Sequence, residues 1–433
     1  MSVDLRQRFR NWTTNRLGHK FPKFMNTLGR GRGHTMAASP AAATIAERAA
    51  ESMSPVAEPS PFAELNSVLE AYFFEPDLQA IRIVLGTIKA HYLNIGDPAW
   101  LFIVAPPGSG KTTSTIMGAS GLPEVISLSE FTENTFLSGF HGHAQPGLLE
   151  KLGIPIEHGG VFETEGSAIF LAKDFTTVLS MRREKRAVIL GQLREIHDGS
   201  FKRAFGTGVT KAWRGRITII AAVTPILDTH YSIFSVLGER FLQVRWHRPT
   251  SEEAGEWAIR QQGQEAEIQR QCREAITRIF ERSTSSAPIL ARTMQKRIAS
   301  LAEVVALGRT HIVRNSWGRE IEYVPEPEAN TRVSKGLASI AKGVAALNQR
   351  TEVAEDDLQD AFRVGLDCIP DTRKRLLLAV HRGEGVSSVS LPRTVREREL
   401  EDLAALQIFE EADSPQVSQR IAKLLEVAAP ELG

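Results

Sequence analysis

Cysteine is scarce: Cys272 and Cys368 are the only two in 433 residues, and they stand far apart. That excludes a disulfide framework and a cysteine-built metal site, and it fits a reducing compartment. No uninterrupted apolar run approaches the roughly 18 residues that a membrane span needs. The N-terminus lacks the apolar stretch of a secretory leader, so the expected setting is cytoplasmic, with no membrane partner. Excess charge is missing too. Lys+Arg 52 against Asp+Glu 51 leaves a net charge of +1. Global basicity therefore says nothing about nucleic acid, and any such hint has to come from local patches. Hydrophobic residues at 42% and charged residues at 24% give the usual globular mix. The length suits about two or three domains.

The first patch is N-terminal. Up to His34, Arg6, Arg8, Arg10, Arg16, Lys20, Lys23, Arg30 and Arg32 face one acid, Asp4. Such an arm reads as a solvated tail, a nucleic-acid-touching arm or a transit peptide. Residues 36–61 are rich in Ala, Ser, Pro and Glu without a sustained period and read as a linker, so 1–61 forms one arm-plus-linker region. Order is expected from Phe62. Leu65, Leu69 and Phe73, then Leu78, Ile81, Val84 and Ile88, repeat at helical spacing, with Asp77 placed to cap the second set.

Three short apolar runs follow: Trp100–Val104, Ala168–Ala172 and Ile217–Val223. Runs of that length suit strands buried on both faces of a parallel sheet. A helical stretch over roughly 178–197 lies between the last two, with Leu190, Leu193 and Ile196 facing inward and Arg182, Arg183, Lys185 and Arg186 facing out. Strands alternating with helices predict an α/β core over 62–250. Beyond it, helical periodicity dominates 252–312 and 329–368, with 313–328 a loop or small hairpin, giving an all-α region over 251–370.

The first strand runs into Ala105-Pro106-Pro107-Gly108-Ser109-Gly110-Lys111-Thr112-Thr113. Multiply charged phosphates are held best by many backbone N–H donors, a helix N-terminus and one cation. Gly108 and Gly110 let the backbone curl inward, Lys111 reaches the β- and γ-phosphates, and the Thr112 hydroxyl suits Mg²⁺. The strict P-loop pattern begins with Gly, where this chain has Ala105. ATP and Mg²⁺ are the expected cofactors.

The order of strand, phosphate loop, helix, acid-ended strand, helix, polar-ended strand and then Leu237-Gly-Glu-Arg240-Phe241 resembles the AAA+ ATPases, in detail their helicase-type, MCM-like branch, over roughly residues 75–368. The resemblance implies a P-loop core with a parallel sheet, an all-α lid and a ring-shaped homo-oligomer, a hexamer among the options. Family members carry Asp-Glu after the second strand; this chain has Lys173-Asp174, so Asp174 is assigned jointly to the metal and the attacking water, with Glu163 and Glu165 as substitutes. Thr224 stands where Asn commonly senses the γ-phosphate, Arg240 where an arginine finger reaches a neighbouring subunit, and Arg332 where a second sensor arginine lies, with Arg292 and Arg297 as rivals. The basic stretch Phe201–Arg216 resembles a channel-facing hairpin, with Lys202, Arg203, Lys211 and Arg214 as phosphate contacts.

Residues 371–433 read as a winged helix, with a helix over Arg373–Val380, Pro392 opening a recognition helix, and Ile408-Phe409 opening a wing strand. Val395, Leu400, Leu403 and Leu406 would be buried, and Arg393, Thr394, Arg396 and Arg398 would face a major groove. Glu397, Glu399, Glu401 and Asp402 leave protein contact open as well. The expected function is ATP-driven work on DNA, as a helicase or a replication or loader ATPase. The alternative is an ATP-gated protein remodeller or a DNA-binding regulator with slow hydrolysis. Protein clients, DNA sequence preference and ring size do not follow from the residues.

Overall fold

A computed structural model describes residues 60–108, 119–138, 146–206, 208–230, 240–247, 251–315 and 320–429. The chain divides into two compact units, Met1–Ala63 and Glu64–Gly433. Of the first, only residues 60–63 are described. The N-terminal arm and the linker up to residue 59 thus lie outside the described residues. All that follows concerns the second unit.

That unit is α/β, with a mostly parallel sheet of seven strands and a hairpin of two more among its described residues. Helix α1 spans Ala63–Tyr72 and α2 spans Leu78–Tyr92. As the spacing predicts, Asp77 starts α2: its Oδ1 accepts the Ala80 N–H at 3.0 Å, satisfying one of the donors a helix start leaves free. The strands are β1 (Trp100–Val104), β2 (Val125–Leu128), β3 (Ile156–His158), β4 (Val161–Ala172), β5 (Ser200–Ala204), β6 (Thr210–Val223) and β7 (Phe241–Arg245). Their order is β2-β4-β6-β1-β7, each parallel to its neighbours. Short β3 and β5 add antiparallel edges to the amino halves of β4 and β6. Helices α3 (Thr176–Leu179) and α4 (Arg183–His197) connect β4 to β5. The helix expected over 178–197 is therefore two, broken at Ser180–Arg182.

Alternation along the strands builds two faces. One face presents Trp100, Phe102, Phe170, Ile217, Ile219 and Phe241 to Ile189, Leu190, Leu193 and Ile196 of α4. Phe102 stacks on Phe241 at 3.9 Å between ring centroids, and Phe175 lies tilted against both. Each aliphatic side chain that α4 buries stabilises the core by roughly 1.5–3 kcal/mol. The other face receives α2, which is itself covered by α8 (Thr331–Leu347). A Cβ on Gly343 would meet the Gly86 carbonyl oxygen at 2.0 Å, so α2 and α8 touch backbone to backbone, and a larger residue there would force them apart.

Helical structure follows β7, as expected: α5 (Glu252–Arg260), α6 (Glu265–Arg282), α7 (Arg292–Gly308), then the hairpin β8 (Val313–Arg314) and β9 (Ile321–Tyr323), α8, and α9 (Glu355–Asp367). The chain ends with α10 (Asp371–His381), α11 (Arg393–Ala405) and α12 (Gln419–Ala428). This last segment is riveted to α7. Buried Arg373 donates to the carbonyls of Gly308 and Thr310 at 3.2 and 2.7 Å, and to Asp402 on α11 at 2.7 Å. No helix among the described residues is long and apolar enough to cross a membrane.

Candidate functional site

All five residues of β1 are buried, and β6 and β7 flank it in parallel. Its carboxyl end therefore opens at the edge where parallel sheets usually bind ligands. Ala105 follows, fully buried, and its N–H donates to the Val223 carbonyl at 3.0 Å. The chain then surfaces: Pro106, Pro107 and Gly108 are exposed. Gly108 has φ +72, a conformation that side-chain-bearing residues rarely adopt. Ser109, Gly110, Lys111, Thr112 and Thr113 lie outside the described residues.

Asp174 and Thr224 come together at this same edge. Asp174 is exposed just past β4, and its Oδ1 accepts the Thr176 N–H at 2.8 Å. The Thr176 hydroxyl accepts the Thr224 N–H at 3.1 Å and lies 3.4 Å from the Thr224 hydroxyl. The acid, the threonine just past β6 and the residue opening the Gly-rich segment are thus joined through Thr176 and Val223. Thr176 was not singled out from the sequence. Its signal was there, in an Asp two residues ahead of a helix's first N–H groups. Lys173 points its exposed side chain to solvent, while its backbone N–H donates to Leu128 at 3.0 Å.

Arg240 and Arg332 stand at the opposite edge. Arg240 precedes Phe241, which pairs with Trp100 at the start of β1. The five residues of β1 hold it roughly 17 Å from Ala105, at about 3.3 Å per residue. Arg240 is nearly buried, and its Nη2 donates to both oxygens of Asp198 at 3.1 and 3.0 Å. Arg332, at the start of α8, is 3.7 Å from Glu328. Both line a cleft shared with Trp100, His197, Arg309 and Lys335. Burial pushes the His197 imidazole below its usual value, and the nearby Arg240 adds to that, against the opposing pull of Asp198. Of the rivals to Arg332, Arg297 is bound to Glu355 at 2.7 Å and to the Ala428 carbonyl at 2.8 Å, while Arg292 is exposed.

Other expectations need correction. Glu163 and Glu165 lie in the amino half of β4, roughly 30 Å along the strand from Asp174. They cannot substitute for it, and Glu163 is paired with Arg214 at 2.7 Å. The hairpin over Phe201–Arg216 exists as β5 and the start of β6, but Lys211 is no phosphate contact. Its side chain is 9% exposed and pairs with Glu150 at 2.5 Å. Arg203 donates to the Glu133 carbonyl at 2.6 Å, leaving Lys202 and Arg214 facing solvent. Arg186 turns back to the Leu179 carbonyl at 2.6 Å instead of lying on the open face. On α11, Arg393, Thr394 and Arg398 are exposed, whereas Arg396 is half-buried and donates to the Leu391 carbonyl at 3.2 Å. Asp402 is buried between Arg314 and Arg373. Beyond α11 the only described pairing is a single antiparallel bridge, Phe409 with Val417.

What the fold defines is a class: an α/β protein with a mostly parallel sheet, compatible with a Rossmann-like core, and with polar groups gathered at the carboxyl edge of that sheet. No protein-family model matches the chain, and no curated protein matches it. The functional reading therefore rests on the residues themselves.

Proposed function

We propose that the chain is an ATPase of the AAA+ type, MCM-like in its order of motifs, that binds ATP and Mg²⁺ at the carboxyl edge of the sheet. The supporting observation is that Ala105, which opens the Gly-rich segment, Asp174 and Thr224 meet at one edge, through Val223 and Thr176. In this reading the backbone amides from Gly108 onward and the Lys111 ammonium hold the triphosphate. The oxygen donors Thr112 and Asp174 suit Mg²⁺, which would neutralise phosphate charge. Asp174 commits one carboxylate oxygen to the Thr176 N–H, and its second oxygen is the one assigned to the metal or the attacking water. The Thr224 hydroxyl orients that water. Arg240 and Arg332 stand at the opposite edge, too far from the carboxyl edge to touch a triphosphate held there, so they act on one held by a neighbouring copy. That arrangement requires a homo-oligomer, and a ring satisfies it.

The action on DNA rests on the basic residues before His34 and on Arg393 and Arg398 of α11, the latter among several acids. The wing and the lid are proposed on the same resemblance. Lys173 favours the second reading: an exposed cation stands where family members keep an acid, which suits a slow switch as well as a motor. Measuring ATP turnover with and without duplex and single-stranded DNA tests both. Asp174→Asn is expected to lower turnover by about a hundredfold or more, the usual contribution of a group that positions or deprotonates water. Unchanged turnover in that variant would remove Asp174 from the chemistry. DNA-independent, slow hydrolysis in the original chain would select the switch.

A further inference from the structure

Arg245 ends β7 beside the carboxyl end of β1, where the Trp246 N–H donates to the Val104 carbonyl at 2.9 Å. It is the hub of a largely buried charge network. Its Nη1 and Nη2 donate to Asp228 Oδ2 and Oδ1 at 2.9 and 2.8 Å, in a paired, fork-like contact. Its Nε donates to the Asp367 carbonyl at 3.1 Å, and its backbone N–H to Asp367 Oδ2 at 2.8 Å. Lys374 of α10 takes the other Asp367 oxygen at 2.8 Å. Arg363 of α9 donates to the Arg245 carbonyl at 2.8 Å and holds Asp77 with contacts of 2.6 and 2.5 Å. Asp228 belongs to the short turn Pro225–His230, which begins directly after Thr224, and the Leu227 N–H donates back to the Thr224 carbonyl at 3.1 Å.

We infer that Arg245 is a positioning residue that couples the Thr224 turn to helices α9 and α10, so that occupancy of the carboxyl edge is transmitted to the C-terminal helices. The inference rests on the proposed nucleotide site and names its output. A guanidinium is suited to this role because its rigid fork engages a carboxylate through two bonds while a third donor reaches elsewhere. The side chains of Arg245 and Asp228 are 13% and 25% exposed, so water competes little for their contacts. A small shift of the turn when the Thr224 hydroxyl meets a γ-phosphate then has two outcomes. It carries the end of α9 along, or it opens the paired contact; a packed network holds no continuum between them.

The test is backbone hydrogen exchange on the full chain with and without ATP and Mg²⁺. In the original chain, ATP is expected to slow exchange across 224–230 and across 355–381 by about fivefold or more, the low end of usual site-to-site coupling. Asp228→Asn and Arg245→Lys are expected to keep ATP affinity within about twofold and the slowing at 224–230, but to lose it at 355–381. Melting curves identify any variant that is not folded, and Asp228→Asn is the milder change. Slowing at 355–381 that persists in both variants overturns the coupling. ATP binding without slowing at 355–381 in the original chain overturns the coupling alone. No ATP binding in the folded original chain overturns the nucleotide site and the coupling together.

Discussion

The two edges of one sheet are built on opposite plans. At the carboxyl edge, Asp174 is exposed, Thr224 half-buried, and the link between them a single residue, Thr176, through its backbone N–H and its hydroxyl. At the amino edge and the antiparallel extension beyond it, cations are answered by internal acids: Arg240 by Asp198, Arg332 by Glu328, Lys211 by Glu150. Around Asp174 and Thr224 the first edge leaves polar capacity for something else to satisfy, its ion-paired hub lying apart at Arg245, while the second spends its polar capacity on itself. For the proposed role at a neighbour's triphosphate, Arg240 has to loosen its hold on Asp198, whose own side chain is 58% exposed and so is released at little cost. Lys211 and Glu150, both close to fully buried, have no such freedom.

The largest expected effect lies with Arg240. Arg240→Ala should lower ATP turnover roughly a thousandfold, at the low end of an arginine finger's contribution. Mixing that variant with Lys111→Ala should restore part of the activity, since each supplies what the other lacks. A variant that melts earlier but turns over normally would make Arg240 a structural group, and the two edges would then differ in purpose as well as in plan. Next is Lys211→Met, which strands the Glu150 carboxylate in a buried place where it also receives the N–H groups of Ser138 and Gly147. Urea unfolding should show a loss of roughly 3 kcal/mol, partly recovered when Glu150→Gln is added. A negligible loss with weakened DNA binding would instead return Lys211 to the phosphate-contacting set.

The smallest effect is a pH dependence. His91 is buried between α2 and the sheet, with its ring nitrogens 3.0 Å from the Thr218 hydroxyl and 2.9 Å from the Ser167 hydroxyl. Burial holds its pKa below 6.5, and Arg216 pushes the same way, against Glu124 at 3.7 Å. The folded chain thus takes up this proton less readily than the unfolded one. The contribution to stability is complete above 6.5 and is lost as the pH falls toward the folded value. Denaturant midpoints should fall between about pH 7 and pH 5, and less steeply in His91→Gln. A slope unaltered by that change would assign the dependence to other groups.

The sequence showed the carboxyl edge better than the amino edge, for a physical reason. Where a strand is buried on both faces it becomes an uninterrupted apolar run, and Trp100–Val104, Ala168–Ala172 and Ile217–Val223 could be read directly. The amino halves of β4 and β6 carry Glu163, Glu165, Lys211 and Arg214 because one side meets solvent or a buried partner. Their strand character is hidden in the sequence, and both strands proved longer than their apolar runs. β7 was missed as a strand because Gln243, polar yet 3% exposed, interrupts its apolar run. The Asp77 cap, the small hairpin near 313–323 and the helical blocks were legible because each depends on neighbours in sequence. The pairing of Lys211 with Glu150 and the hub at Arg245 depend on partners about 60 and 120 residues away, and no local pattern announces them.

The most direct measurement is calorimetric titration of the folded full chain with ATP and Mg²⁺, beside Lys111→Ala at matched melting temperature. Saturable binding near one nucleotide per chain, lost in the variant, is the expected result. A folded chain that evolves no heat with ATP, or a Lys111→Ala chain that binds as well as the original, would show that the carboxyl edge is not a triphosphate site.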